Sequence, residues 1–280
     1  MTTSNESWVR VERDSISPEG ERLITLVCKS PKFLDAQWQK HRNLSISASS
    51  DRAIPTATLL DREIYIPDTL YRNCSGMAGK ELLNPDQVAE VREQIQNLYD
   101  LTCGAVEHIQ DGWNLHKQHI NRYLAPWTFQ TLVVTGNARW FRDLIRLRSS
   151  DHAQPEFRKL ALEIDDELAN RFTHEIGKWD WHLPFVSDDE LYDRIDINTL
   201  CKLSASRAAR ASYAKQDAPS DVEEDLARYK RLVDDGHVKP LEHAARPLNS
   251  QYDYDVCYWR PRWGMMCDNF IGWRSLRSMI

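Results

Sequence analysis

Lys40, His41 and Arg42 stand side by side in this chain, and after seven small or polar residues come Ser50, Asp51 and Arg52. A guanidinium offers rigid paired donors, an ammonium a point charge, and a serine hydroxyl a short hydrogen bond to the same oxygens. Such a set suits a phosphorylated ligand. The chain as a whole carries a net charge of −6, so a dense cationic cluster calls for a local anion. The same residues also read as a solvated turn bearing a few charges.

Three further strings carry chemistry. In residues 137–161, Arg148, His152 and Arg158 gather around a polar hinge between two helical stretches, with His152 at the start of the second. Free N–H groups and the helix dipole favour an anion at such a position. Equally, Arg148 and Arg158 are free to pair with Asp143, Asp151 or Glu156 on the surface. Ser206-Arg-Ala-Ala-Arg-Ala-Ser-Tyr213 reads on its own as an alanine-rich helix end. In Gly236-His-Val-Lys-Pro-Leu-Glu-His243, two histidines and a carboxylate hint at a metal, but Pro240 and the lack of a nearby Cys or His partner argue against one.

The elements that must position these residues follow from periodicity. Residues 22–28 are apolar and β-branched, which predicts a strand. From 31 to 42, Phe33, Leu34 and Trp38 return at helical spacing, placing the basic triplet at a helix C-terminus before a serine-rich loop. Residues 86–110 predict an amphipathic helix with Val88, Val91, Ile95, Leu98 and Leu101 on one side. The run 128–134 fits either a buried strand or a helix segment and is broken by Gly136-Asn137. Helices are expected over 138–148 and from about Ala153, the latter turning Phe157, Leu160, Ile164 and Leu168 inward. A turn or crossing at 178–184 precedes helical stretches at 198–213 and 221–235, with Gly236 ending the last. Residues 246–280 are rich in Tyr, Trp and Arg and show no period. The sum is an α+β chain forming one mostly helical domain over residues 1–280.

Composition sets the outer limits. A length of 280 residues supports a sizeable core, and 41% hydrophobic with 28% charged residues is ordinary for a globular protein. The acidic balance excludes general adhesion to nucleic acid or anionic membrane. No apolar run approaches a membrane span and the first residues lack a signal-peptide core, so a cytoplasmic protein is expected. Six cysteines lie scattered with no Cys-x-x-Cys pair, which favours reduced structural thiols over zinc or disulfides.

Taken together, the strings resemble the flavin-dependent thymidylate synthase (ThyX) family. Lys40-His-Arg, seven residues, Ser50 is similar to that family's Arg-His-Arg, seven residues, Ser, and Gln37 and Arg52 stand at matching offsets. Residues 137–161 resemble its Leu/Met-Arg, hinge, His-Ala and Glu-Ile-Arg-x-Leu-Ala stretch. Ser206 to Tyr213 resembles its Ala-Ala-Arg-Val-Ser-Tyr, and Gly236 to His243 its Gly-His-x-Ser/Thr-Pro-Phe-Glu-His. In most members the last two strings precede the basic triplet; here they follow it, as in a permuted branch. Permutation is acceptable where termini are exposed and close.

The resemblance implies a ThyX-like fold with an antiparallel sheet, a homotetramer with sites at subunit junctions, and FAD-dependent C5-methylation of UMP or dUMP. It implies 5,10-methylenetetrahydrofolate as carbon donor and NADPH as reductant. Arg158 would polarise the uracil ring; Ser50, Asp51 and Arg52 would bind the nucleotide, with Gln37 and Lys40 reaching it from a neighbouring subunit. His41, Arg42, Asn43, Arg148 and His152 would hold FAD together with Ser212, Lys239 and Glu242, and His237 would lie toward the folate or nicotinamide. Lys40 for Arg, Ser47 for Asn, and Thr131 where a phosphate-binding Arg is usual are departures around the nucleotide, with Arg122 or Arg139 as replacements for the last. They leave the sugar preference open, and one branch of the family, in nucleoside-antibiotic biosynthesis, accepts UMP as well as dUMP.

The chemistry required is activation of uracil C5, by a cysteine adding to C6 or by reduced flavin. The cysteine route needs a low-pKa thiol, and no cysteine adjoins the basic strings; Cys201 beside Lys202 comes nearest. No Gly-x-Gly-x-x-Gly fingerprint is present, which argues against a Rossmann flavoenzyme. Two other readings stand: a nucleotide- or RNA-binding protein using Tyr258, Trp259, Arg260, Arg262 and Trp263, and a flavin-binding homologue without methylase activity.

Overall fold

Leu23, Thr25 and Val27 alternate along one strand with Ile24, Leu26 and Cys28, and every one of these side chains is buried. A strand whose two faces both disappear must lie mid-sheet between two layers. The computed structural model, which describes residues 6–169, 171, 173–193, 195–213, 215–249, 251–253, 255–261 and 263–280, shows that arrangement.

Strands β1 (Trp8–Ile16), β2 (Arg22–Pro31), β3 (Ser45–Ala48), β4 (Phe129–Asn137) and β5 (His174–Glu175) form one sheet in the order β3-β4-β2-β1-β5. All pairings are antiparallel except the short parallel one between β1 and β5. The undecided run at 128–134 is therefore strand, extending through Gly136 and Asn137 rather than breaking there. At Gly136 a Cβ would sit 2.4 Å from Cδ2 of Leu44, so any larger residue has to displace that buried side chain.

Nine helices of α type are described: α1 (Asp35–Trp38), α2 (Thr56–Leu60), α3 (Pro85–Trp113), α4 (Lys117–Ile120), α5 (Ala138–Arg148), α6 (Pro155–Ala169), α7 (Asp188–Tyr192), α8 (Ile197–Ala209) and α9 (Val222–Asp234). Helices α5 and α6 cover one face of the sheet, where Trp140, Phe141, Leu144, Phe157, Leu160 and Ile164 meet Ile24, Leu26, Leu132 and Val134. On the other face, Ala211 after α8 packs on Val27 and Val133. The element mix is helix and antiparallel sheet, richer in strand than the sequence reading foresaw.

Two expectations need correction. The helix before the basic triplet ends at Trp38, and Lys40, His41 and Arg42 lie in the turns that follow. In α3 the buried side chains are Tyr99 and Val106, whereas Leu98 and Leu101 are exposed. Tyr99 packs edge-on to Trp127 and clusters with Leu59 and Ile120; one residue away along a helix is a rotation of about 100°, so Leu98 faces outward.

The region without period forms strands β6 (Ala245–Pro247), β7 (Tyr258–Arg260), β8 (Gly264–Cys267), β9 (Phe270–Ile271) and β10 (Trp273–Ser275), closed by a 3-10 turn at Leu276–Met279. Strand β10 pairs with β6, and β7, β8 and β9 form a separate small sheet. Two hydrogen bonds between the Asn137 side chain and the Ile271 backbone tie this region to the end of β4. Trp273 is fully buried against Leu23. Among the described residues no helix is long and apolar enough to cross a membrane.

Candidate functional site

The loop leaving β3 carries Ser49, Ser50, Asp51 and Arg52 and is pinned from two sides. Ser49 donates its N–H to the Thr131 carbonyl on β4 at 2.9 Å, and Ser50 donates its own to the Ser212 carbonyl at 3.0 Å. Strings 162 residues apart thus meet through a main-chain bond. Two cavities open on either side of Ser50. One, of about 370 Å³, is lined by Lys32, Asp51, Arg52 and Arg122. The other, of about 840 Å³, is lined by Ile46, Ser47, Ala48, Ala209, Ser212, Tyr213, Lys215, Arg228, Arg231, His237, Lys239 and Pro240. Ser50 belongs to both walls.

The smaller cavity carries three cations, Lys32, Arg52 and Arg122, against two carboxylates, Asp35 and Asp51. Lys32 donates to the Ser49 carbonyl at 2.8 Å and lies 3.9 Å from the Asp51 carboxylate. Burial raises the Asp51 pKa, against the lowering pull of Lys32 and Arg62. Of the two arginines weighed against Thr131, Arg122 lines this cavity, whereas Arg139 pairs with Glu21 at 2.8 Å and lies over Trp263. Lys32 was missed by the sequence reading because nothing in its neighbourhood marks it; only the pairing of β4 with β2 on one side and β3 on the other brings it to the serine loop.

Beneath the larger cavity lies Glu242, 2% exposed. Ser45 Oγ donates to its Oε2 at 2.5 Å, Lys239 reaches the same oxygen at 2.9 Å, and Arg277 engages Oε1. Burial would raise this pKa, but the three donors outweigh it and hold the group below the usual carboxylate range. Gly236, at φ 71°, closes α9 with bonds from His237 N to Leu232 O and from Gly236 N to Val233 O. This Schellman closure turns the chain so that His237 and Lys239 come over the cavity.

A buried polar layer backs the wall. Ser47 meets His243 Nε2 at 2.8 Å, His243 Nδ1 meets Thr135 at 2.8 Å, and Thr135 meets Thr25 at 2.7 Å. Thr25 then meets His182 Nε2 at 2.8 Å, whose Nδ1 lies 3.0 Å from Ser15. Burial pushes His243 down to about 3 and His182 well below its ordinary value, so both rings are neutral.

The remaining predicted residues lie elsewhere on the protomer. Gln37, Lys40, Arg148, His152 and Arg158 line a third cavity of about 710 Å³. Arg148 donates to Gln37 Oε1 at 2.8 Å and to His41 Nε2 at 3.0 Å, with its guanidinium 4.6 Å from the Phe157 ring centre. Burial, reinforced by Arg148, pushes His41 down to about 4. Arg158 pairs with Asp151 at 2.8 Å, the surface pairing foreseen as the alternative, and donates to the Ser149 carbonyl. His152 does not open a helix: α6 starts at Pro155, and His152 sits exposed in the turn before it. Arg42 and Asn43 line a smaller pocket of about 320 Å³ with His41 and Lys40. Lys40 lines both that pocket and the third cavity. Arg42 therefore lines a different pocket from Arg148 and Arg158.

Of the alternatives, Tyr258 and Trp259 are exposed on β7 and Trp263 packs edge-on to Trp140, while Arg262 lies outside the described residues. No group of three or more His, Cys, Asp or Glu among the described residues is placed to hold a metal ion. Burial pushes Cys201 up to about 12 and Cys257 up to about 11, and raises Cys28 and Cys267 as well. None of these four thiols is poised as a nucleophile.

Comparison with known proteins gives a family match over residues 17–172, described as thymidylate synthase complementing protein. Flavin-dependent thymidylate synthase from Treponema pallidum is 31% identical over 157 residues, covering 52% of this chain and 48% of that protein. The same enzyme from Pseudothermotoga lettingae is 28% identical over 149 residues, covering 53% of this chain and 62% of that protein. The match thus spans about half to three fifths of these relatives' length. Among solved structures, a UMP/dUMP methylase PolB from Streptomyces cacaoi with 5-Br UMP aligns at TM-score 0.49 and 18% identity, over 59% of this chain and 89% of that one. ThyX from Helicobacter pylori with FAD and dUMP aligns at TM-score 0.37 and 20% identity, over 52% of this chain and 67% of that one. Scores below 0.5 do not establish a shared fold, so the assignment rests on the family match.

Proposed function

This chain belongs to the thymidylate synthase complementing protein family, and from that premise we propose that it methylates C5 of a uridine monophosphate in a flavin-dependent reaction. The observation that carries the reading is the position of Ser50, shared by a cationic pocket and a large, half-apolar cavity. The pocket is fitted to a phosphate: Lys32, Arg52 and Arg122 supply charge and Ser50 a hydroxyl. The cavity fits FAD, which needs an apolar slot together with cations for its phosphates. Ile46, Ala48, Ala209, Leu232 and Pro240 provide the first, and Lys215, Arg231 and Lys239 the second, while Arg228 is held by Asp225 and Glu224.

On this reading Ser212, Lys239 and Glu242 orient the flavin, and His237 faces the folate or nicotinamide. The cofactor would supply hydride and one-carbon transfer, with methylenetetrahydrofolate as carbon donor and NADPH as reductant. The protein's own part is to bind, orient and polarise. Arg158 would place its charge on the uracil carbonyl next to N3 and favour the ionised ring. Its present partner Asp151 is an exposed carboxylate, and such pairs are weak enough to exchange.

Because Arg158, Gln37 and Lys40 line a different cavity from Ser50, the complete site would form between copies of the chain in a homotetramer. His41, Arg42, Asn43, Arg148 and His152 would reach the flavin in the same way. Purified protein should be yellow, and NADPH should bleach it anaerobically, faster with UMP or dUMP present. Colourless protein that takes up no added FAD would refute the reading. Turnover on the two nucleotides decides the sugar preference; strict rejection of UMP removes the likeness to the branch that accepts it. Mixing Ser50→Ala with Arg158→Gln protein tests the shared site: each is inactive alone, and the mixture recovers part of the activity.

A further inference from the structure

The C-terminal turn Leu276–Met279 puts Arg277 onto a carboxylate that the sequence reading assigned to the cofactor. The Glu242 side chain is 3% exposed, whereas those of Arg277 and Lys239 are 44% and 47% exposed, so two half-solvated cations serve one buried anion. They divide its oxygens: Arg277 holds Oε1, while Lys239 and Ser45 hold Oε2. Only Lys239 of the two cations lines the large cavity.

This division has a physical consequence. A buried carboxylate stripped of its only cation is strongly unfavourable. With a single cation, Lys239 would be locked to Glu242 and unable to turn toward a ligand. With Arg277 in place, Lys239 can exchange Glu242 for an anionic group in the cavity while the carboxylate stays paired. Two cations against one carboxylate also leave the cluster with one net positive charge.

We propose that Arg277 is a positioning residue of the cofactor cavity, which holds Glu242 so that Lys239 is free to meet an anionic group of the bound flavin nucleotide. This makes the C-terminal region part of the working site. It rests on the reading of the cavity as the FAD site.

The test measures FAD affinity by fluorescence quenching, with UMP affinity and the thermal midpoint alongside. Arg277→Gln should weaken FAD about tenfold or more, in keeping with a lost charge-assisted hydrogen bond, and leave UMP affinity within about twofold. Arg277→Lys should restore most of the loss. In Glu242→Gln protein, where no charge needs holding, adding Arg277→Gln should change FAD affinity by less than about twofold. An undiminished effect in that background overturns the proposal, as does a parallel loss of UMP affinity and thermal midpoint. So does unchanged FAD affinity in Arg277→Gln when the unsubstituted protein binds FAD. Failure of the unsubstituted protein to take up FAD refutes the reading beneath it as well. FAD binding should also protect the Arg277–Ser278 bond from trypsin, and cleavage at equal rates with and without FAD counts against the idea.

Discussion

Arg148, on the last turn of α5, donates its Nε hydrogen to Nε2 of His41 at 3.0 Å, joining two basic strings 107 residues apart in the chain. The bond requires a neutral imidazole, and burial reinforced by the guanidinium supplies one by pushing His41 to about 4. Replacing Arg148 by Ala removes this bond and the one to Gln37, and should cost about 1–3 kcal/mol in urea unfolding. The His41 pKa should rise yet stay below 6.5, because burial is the larger cause. An NMR titration reaching 6.5 would show that the charge, not burial, controls the ring.

Thr135 sits between Thr25 and His243 in the buried polar layer. Thr135→Val keeps the shape but leaves His243 Nδ1 without its partner, at a cost of about 1–3 kcal/mol. The two buried histidines also set an acid limit. Their folded pKa values lie below the unfolded 6.5, so the unfolded chain takes up protons first. Stability should therefore fall steadily as pH drops from about 6.5 toward the folded value of about 3 for His243. Flat stability between pH 6 and 4 would contradict this.

Asp225 is fully buried and accepts hydrogen bonds from Arg207, Arg210 and Arg228. Burial raises its pKa, but the three guanidinium groups win and hold the carboxylate ionised. Asp225→Ala removes the carboxylate that these guanidinium groups share and should cost about 3–5 kcal/mol. Guanidinium unfolding curves would show it as a lower midpoint, and because α8 packs against the cavity wall, flavin uptake should fall with it.

Arg158 and Asp151 make the opposite case, an exposed pair whose loss should be nearly silent for stability. Arg158→Gln should shift unfolding by less than about 1 kcal/mol, while methyl transfer to uridylate drops about a hundredfold or more. Asp151→Asn should leave stability equally unmoved. Comparable losses of stability and activity in Arg158→Gln would remove the residue from the reaction.

Local signals reached a good part of this. Residues 138–148 matched α5 end to end, because Trp140, Phe141 and Leu144 recur at helical spacing and need no distant partner to declare themselves. Gly236 closed α9 as expected, since the left-handed position there favours glycine. The run at 128–134 stayed ambiguous because a strand buried on both faces loses its alternation. The apolar side read for α3 is not the side covered within the chain, where Tyr99 and Val106 are buried and Leu98 and Leu101 exposed, because a long helix with apolar residues on several sides does not announce which neighbour will cover it.

By itself, the order of residues determined the family and the inventory of cations, hydroxyls and carboxylates, because motif spacing is fixed by the covalent chain. Tertiary structure alone decided their grouping. It brought Ser212 to Ser50 and Lys32 to the serine loop, put Arg122 beside that loop and Arg139 on Glu21, and delivered Arg277 to Glu242. Those juxtapositions depend on how a five-stranded sheet aligns distant segments across its faces. Such alignment comes from burial and register over the whole sheet, which no local string encodes.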